Sequence, residues 1–407
     1  MDQNGTARPL LEGVRVLDFG RYIAGPYCAA LLGDLGAEVI RVEKRDGSED
    51  RFVQPVVPGA AAGDGGEGAM YLQMNRNKRG LTLDPMSEKG REVVKKLAAT
   101  ADVVVANLPP ATLKAMGLDY ESLKAVKPDI ILTTVSAFGH GGPYSERTGF
   151  DGVTQSMVGA SYLTGHPDEP MKSYAPWVDF GTASLSAFGT MAALMERARS
   201  GEGQMVEGSL LSTALSFFNF HLIEQQMRQL DRVAIGNRSP YAGPADIVPT
   251  KDGWILVQVI GQPLFKRWAR LMGDPEKWLE DPRFKDDISR GDHGELLSQR
   301  TREWASERTT EEALAELEAA RIPAGPVYSP QQALDDRHIQ AMGYLHPFAF
   351  PGMEGAAPIA ETPVRLSRTP GALRHRAPQL GEHTDAILAS LGYTPEEIGA
   401  MRADGTI

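Results

Sequence analysis

Asp179 is the side chain whose neighbours best suit it for chemistry. It follows Pro176, Trp177 and Val178, and it precedes a segment in which Leu185, Phe188, Met191 and Met195 recur at helical spacing. An aspartate at a helix mouth serves as a cap, its oxygen accepting free amide hydrogens of the first turn. The same position suits a carboxylate nucleophile, and the local pattern leaves both readings open. Asp151, in Gly149-Phe150-Asp151-Gly152, is the second carboxylate of interest, although its flanking glycines equally suit an Asx turn.

Basic side chains form the other group. Arg41, Lys44, Arg45, Arg76, Lys78 and Arg79 fall in two short runs on either side of residues 55–69, a Gly-, Ala- and Pro-rich stretch that reads as a surface loop. Such charges are usually a solvated face. Two runs near strand ends also suit the phosphates of a nucleotide-bearing ligand, held by charge-assisted hydrogen bonds.

Other chemistries find little support. The eight histidines are scattered, no Cys-x-x-Cys or His-x-x-x-His spacing occurs, and Cys28 is the single cysteine, so no metal site is expected. Cys28 itself reads as a packing residue of an apolar helix. No Gly-x-Ser-x-Gly elbow is present to seat a serine nucleophile. A net charge of −11 argues against a nucleic-acid partner, because such binding rests on phosphate neutralisation. With 42% hydrophobic and 23% charged residues, the chain has the composition of a globular protein. No signal pattern opens it and no apolar run approaches the ~20 residues of a membrane span, which gives a cytoplasmic expectation.

The elements that must position these residues alternate. Residues 1–10 read as a loose terminus; then Val14 to Gly20 reads as a strand, a helix opens at Gly25-Pro26, and Glu38 to Glu43 returns as a strand. This first turn lacks the Gly-x-Gly-x-x-Gly fingerprint, and no Gly-x-x-x-x-Gly-Lys-Ser/Thr loop occurs, so NAD, flavin and a phosphate loop of that kind are not expected. Strands at Leu81 to Leu83, Ala101 to Asn107 and Ile130 to Ser136 continue the alternation, with helices between them. The expected architecture is an open, mostly parallel, Rossmann-like α/β sheet whose ligand sits beyond the carboxyl ends of the strands, near Arg21, Lys44, Asn107 and the Ser136 to Pro143 turn. A long helix over Phe180–Arg199 leads into the second half. We expect a large domain over 1–224, a smaller α+β domain over 225–340, a Pro- and Gly-rich linker over 341–375, and helices over 376–407 that return to the large domain.

Several stretches together resemble the class III coenzyme A transferases. They include Leu17-Asp18-Phe19 with Ala24-Gly25-Pro26, Leu35 to Glu43, Asn75 to Arg79, and Ala101-Asp102-Val103 with Asn107. Gly142-Pro143-Tyr144, Gly149-Phe150-Asp151, Gly236-Asn237-Arg238 and Leu380 to Thr384 follow in the family's order. The resemblance implies that Asp179 is the catalytic aspartate and that the protein is a homodimer of two chains threaded as linked rings. It implies coenzyme A as co-substrate, with an acyl-CoA donor and a carboxylic acid acceptor. It places Lys44, Arg76, Lys78 and Arg79 at the CoA phosphates, Asn107 and Leu108 near the adenosine or pantetheine arm, and Asp151 near the reacting centre. Ile23 stands where formyl-CoA enzymes keep a glutamine, and Ile260-Gly261-Gln262 is a reduced form of their glycine loop, which argues against oxalate or formate.

Carboxylate chemistry agrees with that choice, since an acid attacking a thioester gives an anhydride from which CoA can pass onward. Helix-dipole attraction would keep Asp179 ionised, and the Gly261 amide is our candidate oxyanion donor. Two alternatives share the CoA site. A racemase needs two bases, one of them a histidine at the position of Phe150, and phenylalanine carries no proton. A non-catalytic CoA-binding protein would need neither. Tyr144, Trp177, Phe180 and Tyr241 are candidate acyl-pocket residues or core.

Overall fold

Val103 to Ala106 shows why this chain builds a parallel sheet: four consecutive apolar residues, all buried, can only belong to a strand covered on both faces. The computed structural model describes residues 8–56 and 67–407. Much of the loose terminus and of the 55–69 loop therefore lies outside the described residues. Six parallel strands form the main sheet: β1 (Arg15–Asp18), β2 (Glu38–Glu43), β3 (Lys78–Thr82), β4 (Val103–Ala106), β5 (Ile131–Ser136) and β6 (Met205–Ser209). Their spatial order is β3-β2-β1-β4-β5-β6, the doubly wound order, which reverses direction between β1 and β4. Register runs Leu17 to Ile40 on one side and Leu17 to Val104 on the other.

Alternation along the strands divides the core into two layers. Leu17, Ile40, Val104 and Ala106 face one cluster, with Val93 and Leu97 and with Ile387, Leu388, Ile398 and Met401 from the C-terminal helices. Val16, Val39, Val103 and Val105 face the other, with Cys28, Ala29 and Leu32 of helix α1 (Ala24–Asp34) and Ala183 and Ala187 further along the chain. Three more helices matter here: α2 (Asp151–Met157), α3 (Trp177–Ser200) and α4 (Leu210–Arg228). The sheet-facing side of α3 carries small and hydroxyl side chains, Thr182, Ala183, Ser186, Ala187 and Thr190. The Thr190 and Thr133 hydroxyls share a hydrogen bond, and the Thr182 hydroxyl donates to Thr213. Small residues let α3 lie close to β5 and α1. By contrast Leu185, Phe188 and Met195, whose spacing marked the helix, point outward.

Buried charges lock the β1 turn. Lys78 Nζ donates to Asp18 at 2.7 Å, to the Pro26 carbonyl and to Asn75, while Arg41 bonds Asp18, Asp50 and the Gly20 carbonyl. Asp18 also accepts the Gly20 N–H. Burial opposes charge on Asp18, but Lys78 and Arg41 outweigh it and hold the carboxyl below its usual range.

The chain separates into two compact units: residues 1–158, 174–219 and 340–407 form one, and residues 159–173 and 220–339 the other. Our expected boundary at 224–225 omits the 159–173 excursion, a short run that no composition change marks. The second unit has a three-stranded sheet of Ala245–Pro249, Trp254–Gln258 and Ala324–Pro326 around a core that includes Ile255, Phe265, Trp268 and Leu317. Residues 341–375, expected as a linker, carry an antiparallel hairpin of Leu345–Ala349 and Ala356–Ala360 that packs with Tyr71 and Leu72 of the first unit. Among the described residues no helix is long and apolar enough to cross a membrane.

Candidate active site

The reversal between β1 and β4 leaves a crevice at their carboxyl ends, and the sequence closes it with one asparagine. Arg21 donates its backbone N–H to Asn107 Oδ1 at 2.6 Å, and Asn107 Nδ2 returns a bond to the Arg21 carbonyl at 2.8 Å. Beside this clasp lies a cavity of about 320 Å³, lined by residues that include Arg21, Tyr22, Asn107, Leu108, Ser136, Ala137, Arg147, Phe150 and Asp179. Its place is the one expected for a ligand on an open α/β sheet. Arg21, Asn107 and the Ser136 turn meet here; Lys44 does not.

Asp179 is not the cap of its helix. Pro176 occupies the capping position without a side-chain bond, and Asp179 stands within the first turn. Capping is done by Asp151 from α2: its Oδ2 accepts the N–H groups of Val178 at 2.8 Å and Asp179 at 2.9 Å, and its Oδ1 accepts from Gln155. Asp151 thus takes the amides that would otherwise favour charge on Asp179. No hydrogen bond to the Asp179 carboxyl is found among the described residues. Burial, with the Asp151 charge beside it, pushes that carboxyl up to about 7, opposite to the dipole expectation. A half-buried carboxylate without donors, facing a cavity, is weakly solvated and correspondingly basic, as a nucleophile should be.

The basic residues separate on inspection. Arg76 is fully buried against Asp34, and Lys78 is held by Asp18, so neither presents its charge to a phosphate. β3 pairs in parallel with β2, and Arg76 and Lys78 are buried where that strand begins. Lys44 is exposed and paired with Glu49, and Arg79 is half-buried and paired with Glu38. Gly261 is also engaged: its N–H donates to both carboxylate oxygens of Asp287 at 3.0 Å, within the second unit, so that amide has no hydrogen left for an oxyanion. Ile23 is buried before α1 and does not line the cavity, though Tyr22 and Ala24 do. Phe150 does line it, 58% exposed and edge-on to Tyr22 at 5.8 Å.

Sequence reasoning passed over Tyr22, Glu146 and Arg147 as site residues. Tyr22 holds φ +59°, a conformation side-chain-bearing residues rarely adopt and one no residue pattern announces. Arg147 was within reach, since it lies between two stretches already singled out, Tyr144 and Gly149 to Asp151.

Comparison with known proteins gives the family and the fold. Residues 11–384 match CoA-transferase family III. The chain is 33% identical over 410 residues to succinyl-CoA–D-citramalate CoA-transferase of Chloroflexus aurantiacus, covering 100% of both chains. It is 33% identical to succinate–glutarate CoA-transferase of Agrobacterium fabrum over 94% of this chain and 96% of that one. Among solved structures, a CAIB/BAIF family protein from Brucella suis superposes with a TM-score of 0.82 at 32% identity, over 95% of this chain and 100% of that one.

Proposed function

The chain belongs to CoA-transferase family III, enzymes passing coenzyme A from an acyl-CoA donor to an acid acceptor, and we propose that Asp179 carries the transfer between dicarboxylic acids. The observation that carries this reading is a basic, unbonded carboxylate facing the cavity at the sheet's reversal point. The citramalate and glutarate in the relatives' names support the substrate class.

In the proposed cycle an Asp179 oxygen attacks the thioester carbonyl of the donor. The carbon–sulfur bond breaks, CoA leaves as thiolate, and an aspartyl anhydride remains. CoA thiolate then attacks the Asp179 carbonyl, releasing the donor acid and leaving an aspartyl-CoA thioester. The acceptor carboxylate attacks that thioester, and the same two steps run backward to give the new acyl-CoA. Asp151 holds the first turn of α3 in place throughout. Arg21, Asn107 and Leu108, at the crevice, are the residues we assign to the CoA arm, and exposed Lys44 and half-buried Arg79 are the cations we assign to the CoA phosphates.

Trapping tests the nucleophile. After incubation with succinyl-CoA and hydroxylamine, the peptide containing Asp179 should gain a hydroxamate, read by mass spectrometry. Exchange of α-hydrogen for deuterium without that adduct would point instead to the racemase, and binding without either to a non-catalytic protein. Phe150 on the cavity wall already weighs against a second base.

Asp151→Asn keeps an oxygen to cap α3 but removes the charge beside Asp179. The acidic limb of the kcat/KM profile reports protonation of Asp179, so activity falls as pH drops below about 7 in the parent enzyme. In the variant that limb should move down by roughly one unit. An unmoved limb with lowered kcat would leave Asp151 a purely structural cap.

We also propose a homodimer of interlocked chains. Phe188 and Met195 on α3 are 73% and 70% exposed, and Phe217, Phe220, Ile223 and Met227 make an outward apolar row on α4. Apolar rows of this extent on a soluble chain ordinarily meet a partner. Sedimentation equilibrium should give twice the chain mass of 44.1 kDa; a monomer at micromolar concentration would refute the assembly.

A further inference from the structure

Arg147 takes no part in the steps above. It stands on the turn after β5, and that turn is braced: the Ser145 N–H bonds the Gly142 carbonyl, the Ser145 hydroxyl bonds both polar backbone atoms of Gly142, and the Arg147 N–H bonds the Tyr144 carbonyl at 2.9 Å. The guanidinium carbon of Arg147 lies 3.8 Å from the centre of the Tyr144 ring, and Phe138 meets that ring edge-on at 6.0 Å. Two aromatics and a locked turn therefore aim the guanidinium.

Its charge is also unspent. Arg21, the other cation on this cavity, donates to the carbonyls of Phe19 and Gly20. For the Arg147 side chain no hydrogen bond or ion pair is found among the described residues, and its neighbour Glu146 does not pair with it. A guanidinium resting its face on an aromatic ring still offers its edge, two parallel N–H groups spaced for one carboxylate. Phosphates are a poor match for this cation. In coenzyme A they stand a whole pantetheine arm from the sulfur, whereas Arg147 shares a cavity of about 320 Å³ with the nucleophile. The acyl end is what reaches there.

We infer that Arg147 binds the distal carboxylate of the acyl group and so selects dicarboxylic over monocarboxylic acids of equal length. The inference rests on the assignment of Asp179 as nucleophile, which places the acyl carbon in this cavity. It makes Arg147 a specificity residue for both half-reactions, since donor and acceptor acids pass through the same site.

Succinyl-CoA and butyryl-CoA, which differ in a carboxylate for a methyl, provide the test. The parent enzyme should prefer succinyl-CoA by roughly 10–10²-fold in kcat/KM, the margin a hydrogen bond to a charged group gives over an analogue lacking that group. In Arg147→Gln the ratio should fall toward unity, because succinyl-CoA loses what butyryl-CoA never had. Arg147→Lys, which restores charge without the fork, should recover part of it. A ratio that survives in Arg147→Gln, an equal loss on both thioesters, or a weakened affinity for free CoA would each overturn the inference. The Asp179 adduct is read in the same samples. Its absence from the parent enzyme would fault the nucleophile, while the donor ratio, followed as CoA release, still judges Arg147.

Discussion

Asp179→Ala should lower CoA transfer by ~10⁴-fold or more, because a covalent route fails as a unit when its nucleophile is removed. Affinity for free CoA should stay within a few fold, since Asp179 meets only the reacting end. Asp179→Asn should be equally inactive and, above pH 7, more stable than the parent. The sign follows from linkage. The carboxyl titrates at about 7 in the folded chain and near 3.8 when exposed, so between those values the folded state holds a proton that the unfolded state has released. Stability therefore falls as pH rises through that window, and the full cost is present above it. Removing the charge should return about 1–3 kcal/mol at pH 8, after allowance for solvent at the cavity mouth, and almost nothing at pH 4. Urea unfolding at the two pH values measures this. Retained transfer in either variant would move the nucleophile elsewhere.

Lys78→Ala should act on folding rather than on ligand binding. Its ammonium makes three bonds in the interior, to Asp18, Pro26 and Asn75, and burial, opposed by Asp18, lowers it to about 8. Deleting one member of a buried ion pair strands its partner, a loss of about 3–5 kcal/mol. Arg41 remains beside Asp18 and moderates the loss, so the lower end is expected. Denaturant titration should show the midpoint falling at constant slope. A variant with parent-like stability and a raised KM for acyl-CoA would restore the reading of Lys78 as a phosphate ligand.

These two residues mark what the sequence discloses and what it withholds. Strand and helix alternation is legible because parallel strands covered on both faces are unbroken apolar runs, as Val103 to Ala106 shows. The crevice is legible through the same topology, and Asp179 through its place before a helix together with the family's motifs. Lys78 is different. Residue type reports its charge but not that Asp18, 60 residues earlier, lies buried beside it. Asp151 caps a helix 28 residues on, and Asp287 claims the Gly261 amide from 26 residues away. Partners of this kind are tertiary, and local capping rules assign the role to the nearest candidate instead. The apolar spacing of α3 identified the helix correctly, while its burial went to small hydroxyl residues whose pairing with β5 and α4 leaves no periodic trace.

The β1 turn has a consequence for how this scaffold can change. Dinucleotide enzymes with the same strand order leave the amides after the first strand open for a pyrophosphate. Here the Gly20 N–H is committed to Asp18 and the Arg21 N–H to Asn107. Grafting glycines onto this loop would not convert the protein to a nicotinamide user, because the amides would still be occupied. A redesign would have to begin by removing Asp18, and that single edit would strip the buried Lys78 of its carboxylate while Arg41 kept Asp50 and the Gly20 carbonyl, so the first step from one cofactor chemistry to the other costs the fold a buried ion pair.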